Sequence, residues 1–383
     1  METQRMKRTK EIMNSNTVSH DLMIEIFKRL PVKTLIRFLC LSKLWASTIR
    51  SRYFKKLFVN ESLTRPKSLV FIFRRRTLCA VPFSSVCLKS TREASSSSAS
   101  SPTYHVTCHT RQRTTIAPSV HGLICNGPAS RLVIYNPCTR GSITLPKINA
   151  GRRSINQYIG YDPIENDYKV LCITKKMRNL TNKRGLAEEI RVLTLGSTQD
   201  SWRMIQDIIP PHSPESEELC INGVLYYQAF TGTTLNDSAI MSFDVRSEKL
   251  QLIKGPCNFP SFSKLTNYEG KIAVIFFIKK VAGIIGLWVL KDPSKEHWLK
   301  KAFVLPDFNM QFRMRQILRT TNPDTGEIIF TPNSVHTSLP GAVYFDLRKN
   351  TVRKFEIQGT TEQYVPCDPD LVSSSLVDNL MFL

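Results

Sequence analysis

Apolar positions fall into two textures along this chain. Between Val18 and Asn60 they recur at helical spacing: Leu22, Ile26 and Leu30 lie at i, i+4 and i+8, and Met23, Phe27 and Leu30 at i, i+4 and i+7. Beyond Arg65-Pro66 the apolar runs shorten to strand length and are separated by Gly, Asn, Asp and Pro. The first texture predicts packed helices, and the second predicts strands joined by tight turns. The expected architecture is α+β multidomain: a small N-terminal helical domain followed by a large all-β, propeller-like domain.

Local signals bound the helices. Ser19 can cap the first one, and Asp21 in its first turn suits the helix dipole. Pro31 stops it. A second short helix is read over Thr34–Leu39, with Leu35, Phe38 and Leu39 apolar. Ser42 can cap a third, carrying Leu44, Trp45, Thr48 and Ile49, and Tyr53, Phe54, Leu57 and Phe58 continue helical spacing to about Asn60. Two apolar stripes on the first helix cover more than one face. A bundle of about 45 residues is also below the size that folds well unaided. Both observations predict that this module packs on something else.

The run Asp21-Leu22-x-x-Glu25-Ile26-x-x-Arg29-Leu30-Pro31-x-Lys33-x-Leu35-x-Arg37-Phe38, followed by Ser42-Lys43-x-Trp45-x-x-x-Ile49, closely resembles an F-box of the large plant F-box family. It departs at its start, where the family has Leu-Pro or Ile-Pro and this chain has Val18-Ser19. It departs again at Leu39-Cys40-Leu41, where an Arg-Cys-Val type run is common. The resemblance implies that residues 18–58 dock on a Skp adaptor. It nominates Leu22, Ile24, Ile26, Leu30, Pro31, Leu35, Phe38 and Trp45 as the contact set or the local core behind it. Loss of the proline is expected to weaken the first adaptor contact.

The β region repeats one unit. A glycine opens an apolar strand in His121-Gly122-Leu123-Ile124-Cys125, Asn222-Gly223-Val224-Leu225-Tyr226-Tyr227 and Glu269-Gly270-Lys271-Ile272-Ala273-Val274-Ile275. Further on, a strand ends in an Asx turn: Val133–Pro137, Ser242–Asp244, Trp288–Pro293 and Val343–Asp346. Asx and Pro set such turns through local hydrogen bonds and a fixed φ. Gly223 to Gly270 is 47 residues, and Asp244 to Asp292 to Asp346 is 48 and 54. A period near 50 with four short strands per unit suits a kelch-like propeller blade, and the span from Pro66 would hold roughly six or seven.

This region also resembles the F-box-associated domain that follows the F-box in that plant family. The carrying residues are Gly122–Cys125, Tyr135-Asn136-Pro137-x-Thr139-Arg140, Leu145-Pro146, Gly160-Tyr161-Asp162-Pro163, Asp167–Val170, Trp202-Arg203, Ile221–Tyr226 and Phe243–Val245. The expected domains are a disordered basic tail over 1–16, the F-box over 17–62 and the F-box-associated β domain over 66–383. A flexible Ser-rich loop is expected at 92–102.

Charge alters the picture only regionally. Net charge is +22, but residues 1–153 hold 21 of those charges, so a uniformly basic domain is excluded. Hydrophobic content of 42% is enough for a sizeable core. The longest apolar stretch, Ile272–Leu290, is split by Lys279-Lys280 and reads as two buried strands rather than a membrane helix. Met1–Lys10 lacks the apolar core of a signal peptide, so a nuclear or cytoplasmic protein with reduced cysteines is expected. Lys7–Lys10 reads as a solvated tail before a nuclear-localisation fragment.

Candidate chemistry is sparse. His105, Cys108, His109, His121 and Cys125 fall within 21 residues, but the spacing fits no standard zinc pattern, and no metal or other cofactor is expected. No P-loop, GxSxG, HExxH or GxGxxG motif occurs. Glu215-Ser216-Glu217-Glu218 reads as a solvated loop. Trp202, Trp288 and Trp298 read as blade-packing residues. The implied function is a non-catalytic substrate receptor of a Skp–cullin–F-box ubiquitin ligase, holding an unknown substrate protein in the β domain, with no membrane partner. The alternatives are a propeller enzyme, for which no catalytic group is nominated, and a general protein-interaction or basic nucleic-acid-binding β-propeller. The last would use Arg74–Arg76, Arg111, Arg113, Arg131, Arg140, Arg152 and Arg153, but no nucleic-acid motif accompanies these arginines.

Overall fold

A computed structural model describes residues 18–65, 68–74, 83–89, 120–127, 131–151, 153–177, 185–197, 201–206, 210–233, 235–256, 259–260, 263–279, 283–306, 316–321, 326–332, 341–356 and 369–382. The basic tail, the Ser-rich loop and His105, Cys108 and His109 lie outside these residues.

Among the described residues four helices come first: α1 His20–Phe27, α2 Val32–Phe38, α3 Lys43–Arg50 and α4 Arg52–Leu63. Ser19 caps α1, its Oγ accepting the Leu22 N–H at 3.2 Å. Pro31 stands one position before α2 in extended backbone, φ −64° and ψ 148°. Its ring forbids continuation of α1 and its φ suits a helix entry. Helix α2 therefore starts two residues earlier than the apolar spacing suggests. Ser51 separates α3 from α4 and caps α4, accepting the Phe54 N–H at 3.1 Å. The helices pack around Phe27, whose ring lies 5.4 Å from Phe38, 5.4 Å from Trp45 and 6.3 Å from Phe54. The latter two contacts are edge-to-face, the favoured aromatic arrangement.

Twenty-two strands follow among the described residues, in six antiparallel sheets. The first sheet is β1 (Ser68–Arg74) and β2 (Phe83–Lys89), completed by the distant β22 (Pro369–Leu376) in the order β2-β1-β22. The second is β3 (Ile124–Asn126), β4 (Val133–Asn136) and β5 (Gly141–Thr144). The third is β6 (Ser154–Asp162), β7 (Asp167–Met177), β8 (Gly185–Thr194) and β9 (Arg203–Met204). The fourth is β10 (Ser213–Ile221), β11 (Val224–Thr231), β12 (Asp237–Asp244) and β13 (Leu250–Lys254). The fifth is β14 (Lys264–Tyr268), β15 (Lys271–Lys279), β16 (Ile284–Asp292) and β17 (His297–Val304). The sixth is β18 (Gln316–Thr321), β19 (Ile328–Pro332), β20 (Gly341–Asp346) and β21 (Thr351–Glu356).

Strands run in sequence order within each of the last five sheets. The leading strand of one sheet lies against the leading strand of the next, from β3 through β6, β10, β14 and β18 to β22. This is the radial up-and-down plan of a propeller. Apolar clusters fill gaps between neighbouring sheets. Tyr158 and Ile190 meet Leu225 and Phe243, Ile240 and Ile253 meet Ile272 and Val274, and Ile275 and Leu287 meet Phe330 and Phe345. No described helix is long and apolar enough to cross a membrane. Ile272–Leu290 forms β15 and β16, as its split by two lysines predicts.

Turn chemistry makes the repeat. His121-Gly122, Asn222-Gly223 and Glu269-Gly270 all have positive φ at both residues, between 47° and 83°. That is the type I′ geometry whose twist matches paired strands. At five further hairpins an Asx side chain accepts a following backbone N–H. Asn136 takes Cys138, Asp162 takes Ile164, Asp244 takes Ser247, Asp292 takes Ser294 and Asp346 takes Arg348, at 2.6 to 3.0 Å.

Candidate docking surface

Helix α1 is apolar on two sides, and only one of them is covered. Met23, Ile24 and Phe27 are buried against α2, α3 and α4. Leu22 and Ile26 stand 53% and 45% exposed, with Val18 beside them at 58%. On the α2–α3 turn and the start of α3, Leu41 and Leu44 are 67% and 58% exposed. Exposed apolar side chains make a candidate interaction face where they are contiguous, as Leu22 and Ile26 are one turn apart on α1.

The eight nominated residues divide by burial. Leu22, Ile26 and Pro31 are open to solvent. Leu30, Phe38 and Trp45 are half-buried and pack on the core from its rim. Ile24 and Leu35, 7% and 0% exposed, point inward and hold the surface from below. Of the two roles the resemblance allows, contact or the core behind it, their burial fits the second. Val18, Leu41 and Leu44 are also exposed apolar residues and lie outside the eight. Leu44 directly precedes the rim residue Trp45, a neighbour relation on a helix that puts the two side chains on different faces.

Electrostatics around the face are mostly basic. Lys33, Arg37 and Lys43 are exposed. Glu25 bonds Lys28 at 2.8 Å and Arg29 at 3.2 Å, and the Lys28 hydrogen bond lowers its pKa. Burial, and then the Arg50 charge, lowers the pKa of Lys55.

The helical module is seated on the propeller. Arg52 Nη2 lies 2.7 Å from Asp167 Oδ1, and Lys56 Nζ donates to the Ile164 carbonyl at 2.9 Å. Ile164 and Asp167 flank the β6–β7 hairpin, so that end of the ring carries the helices.

Inside the propeller, buried polar groups form a neutral framework. His212 Nδ1–H donates to the Pro210 carbonyl at 2.7 Å, so Nε2 accepts the Tyr227 hydroxyl at 3.0 Å. Burial lowers the His212 pKa and raises those of Tyr227 and Tyr158, which stack with ring centroids 4.7 Å apart. Burial likewise pushes the Cys172 thiol up to about 12 and Cys220 up to about 11, which keeps both protonated and inert at neutral pH. The acidic run 215–218 lies in β10, not in a solvated loop. A bulge between Pro214 and Glu218 turns Glu218 inward, where its Oε1 accepts the Ile159 N–H from the neighbouring sheet at 3.2 Å. Among the described residues, no group of three His, Cys, Asp or Glu side chains could hold a metal ion. Trp202 and Trp298 join sheets, donating to the Pro146 carbonyl at 2.8 Å and the Lys254 carbonyl at 2.9 Å.

The described fold is a small module of helices seated on a β-propeller. The F-box domain model matches residues 18–57, and the F-box associated beta propeller domain model matches residues 68–379. The chain belongs to this F-box family with an associated β-propeller. It is 66% identical over 392 residues to "Putative F-box protein At4g38870" of Arabidopsis thaliana, covering 100% of this chain and 92% of that one. It is 42% identical to F-box protein At2g21930 of Arabidopsis thaliana, with both chains covered completely. F-box protein DOR of the same plant is 36% identical over 90% of this chain and 89% of its own.

Proposed function

We propose that this chain is the substrate-recognition subunit of a Skp–cullin–F-box ubiquitin ligase. It docks a Skp-type adaptor, and through it a cullin scaffold, with the open face of α1, and it holds a target protein on the propeller. The observation that carries this reading is the uncovered Leu22–Ile26 stripe on the F-box helix whose opposite stripe forms the core. Burying a Leu or Ile side chain in a partner contributes roughly 1.5–3 kcal/mol, so two or three such residues suffice as anchors.

The receptor does no bond chemistry in this scheme. It raises the local concentration of a substrate lysine beside the ubiquitin-charged conjugating enzyme. The helices occupy the β6–β7 hairpin end of the ring, which leaves the opposite end and the rim for the target. Action in the nucleus, the cytoplasm or both fits this role. Co-expression of the full chain with a Skp-type adaptor tests it. A stable 1:1 complex on size-exclusion chromatography is expected, and two separate peaks overturn the reading.

A further inference from the structure

The segment after β22, Val377–Phe382, runs along the second and third sheets and sends one side chain, Leu380, into the helical module. Leu380 is fully buried in the same apolar cluster as Met23, Phe27, Leu35 and Phe54. Its neighbour Asn379 is 1% exposed and hydrogen-bonded on every side. Its Nδ2 donates to the Tyr168 hydroxyl at 2.9 Å and the His121 carbonyl at 3.2 Å. Its Oδ1 accepts the Met381 N–H at 2.8 Å. Asn136, at the end of β4, donates to the carbonyls of Asn379 and Met381, both at 3.0 Å. Phe382 closes over Gly141, where an added Cβ would stand 2.7 Å from the Phe382 Cβ. Arg65, just after α4, faces Asp378 at 3.9 Å.

We infer that Val377–Phe382 is a positioning strap that completes the F-box core and fixes the adaptor-docking face relative to the propeller. The inference rests on the proposed docking role of α1 and says what sets its orientation. Helix α4 and β1 make one covalent crossing between the modules. A single crossing with a small polar interface permits relative motion as the default. The strap is a second crossing, anchored in the F-box by an apolar plug and in two adjacent sheets by buried hydrogen bonds. Two crossings at separate points remove the hinge. A receptor that works by proximity needs that rigidity, because a swinging module lowers the effective concentration of the bound target.

Spin labels carried on unnatural amino acids at Lys43 (α3) and Lys295 (β16–β17 turn) report the angle between modules in the full chain. The wild type is expected to give one narrow distance distribution. Leu380→Ala and Asn379→Ala are expected to lose it to a broad one, while amide exchange in β10–β17 stays at wild-type rates. A distribution that stays narrow in both variants, or is already broad in the wild type, overturns the strap. If Leu380→Ala also loses sheet protection, Asn379→Ala alone decides. Adaptor capture by the wild-type chain is scored separately. Its failure removes the proposed function, whereas the distance data decide the strap by themselves.

Discussion

Leu22 and Met23 are neighbours in sequence on different faces of α1, one open to solvent and one buried in the core. Substitutions at the two kinds of position should therefore separate cleanly. Leu22→Asp with Ile26→Asp is expected to leave urea-unfolding stability within about 0.5 kcal/mol of wild type, as for exposed sites in general. Leu35→Ala is expected to cost about 2–5 kcal/mol in the same measurement, because a fully buried leucine leaves a cavity. Ser19→Ala removes the α1 cap and should cost about 1 kcal/mol. Both stripes of α1 were legible in the spacing of its apolar residues. Which of them faced outward was not, because that depends on where α3 and α4 pack. The unusual Val18-Ser19 start gains a physical role here: Ser19 supplies a capping oxygen that a proline lacks.

At the scale of elements, hairpin chemistry was the most legible part of the chain. Asx turns and Gly-containing type I′ turns act within four residues, and the Asp244, Asp292 and Asp346 turns stand where the repeat places them. Glu218 was misread because its neighbours Glu215 and Glu217 suggest solvent, whereas a bulge in β10 turns it inward to a backbone N–H of the next sheet. Contacts between sheets set the remaining energetics. Glu248, in the β12–β13 turn, receives Lys169 of β7 at 2.7 Å and Arg203 of β9 at 2.7 and 3.0 Å. Burial opposes its charge, yet the Arg203 and Lys169 hydrogen bonds prevail and hold its pKa below the ordinary carboxylate value. A lowered folded pKa stabilises the protein above the unfolded value and loses that contribution as pH falls through the folded one. Glu248→Gln is thus expected to lower the melting temperature at pH 7, with the difference from wild type closing below about pH 4. Thermal unfolding across pH 3–8 measures it, and a constant difference across that range contradicts the assignment. Gly160→Ala should destabilise by about 1–3 kcal/mol through overpacking, because its Cβ would stand 2.6 Å from the Val245 side chain of the neighbouring sheet.

The whole molecule joins a helical F-box module to a ring of sheets, and its long-range joins were the least legible feature. The period of 47 to 54 residues announced the propeller. Nothing local in Pro369–Leu376 announces pairing with Ser68–Arg74, and nothing local in Leu380 announces a place beside Phe27. Both are contacts across some 300 residues or more that only the closed ring creates. The same joins bear on how the molecule is tested, because a helical fragment without Leu380 lacks part of its own core. The central claim is that the open stripe of α1 binds a Skp-type adaptor. Calorimetric titration of the full chain with that adaptor tests it most directly. The account predicts saturable binding by the wild type and at least about tenfold weaker binding by the folded Leu22→Asp, Ile26→Asp variant, the loss of one anchor's worth of free energy. Absent binding by the wild type, or undiminished binding by the variant, would contradict it.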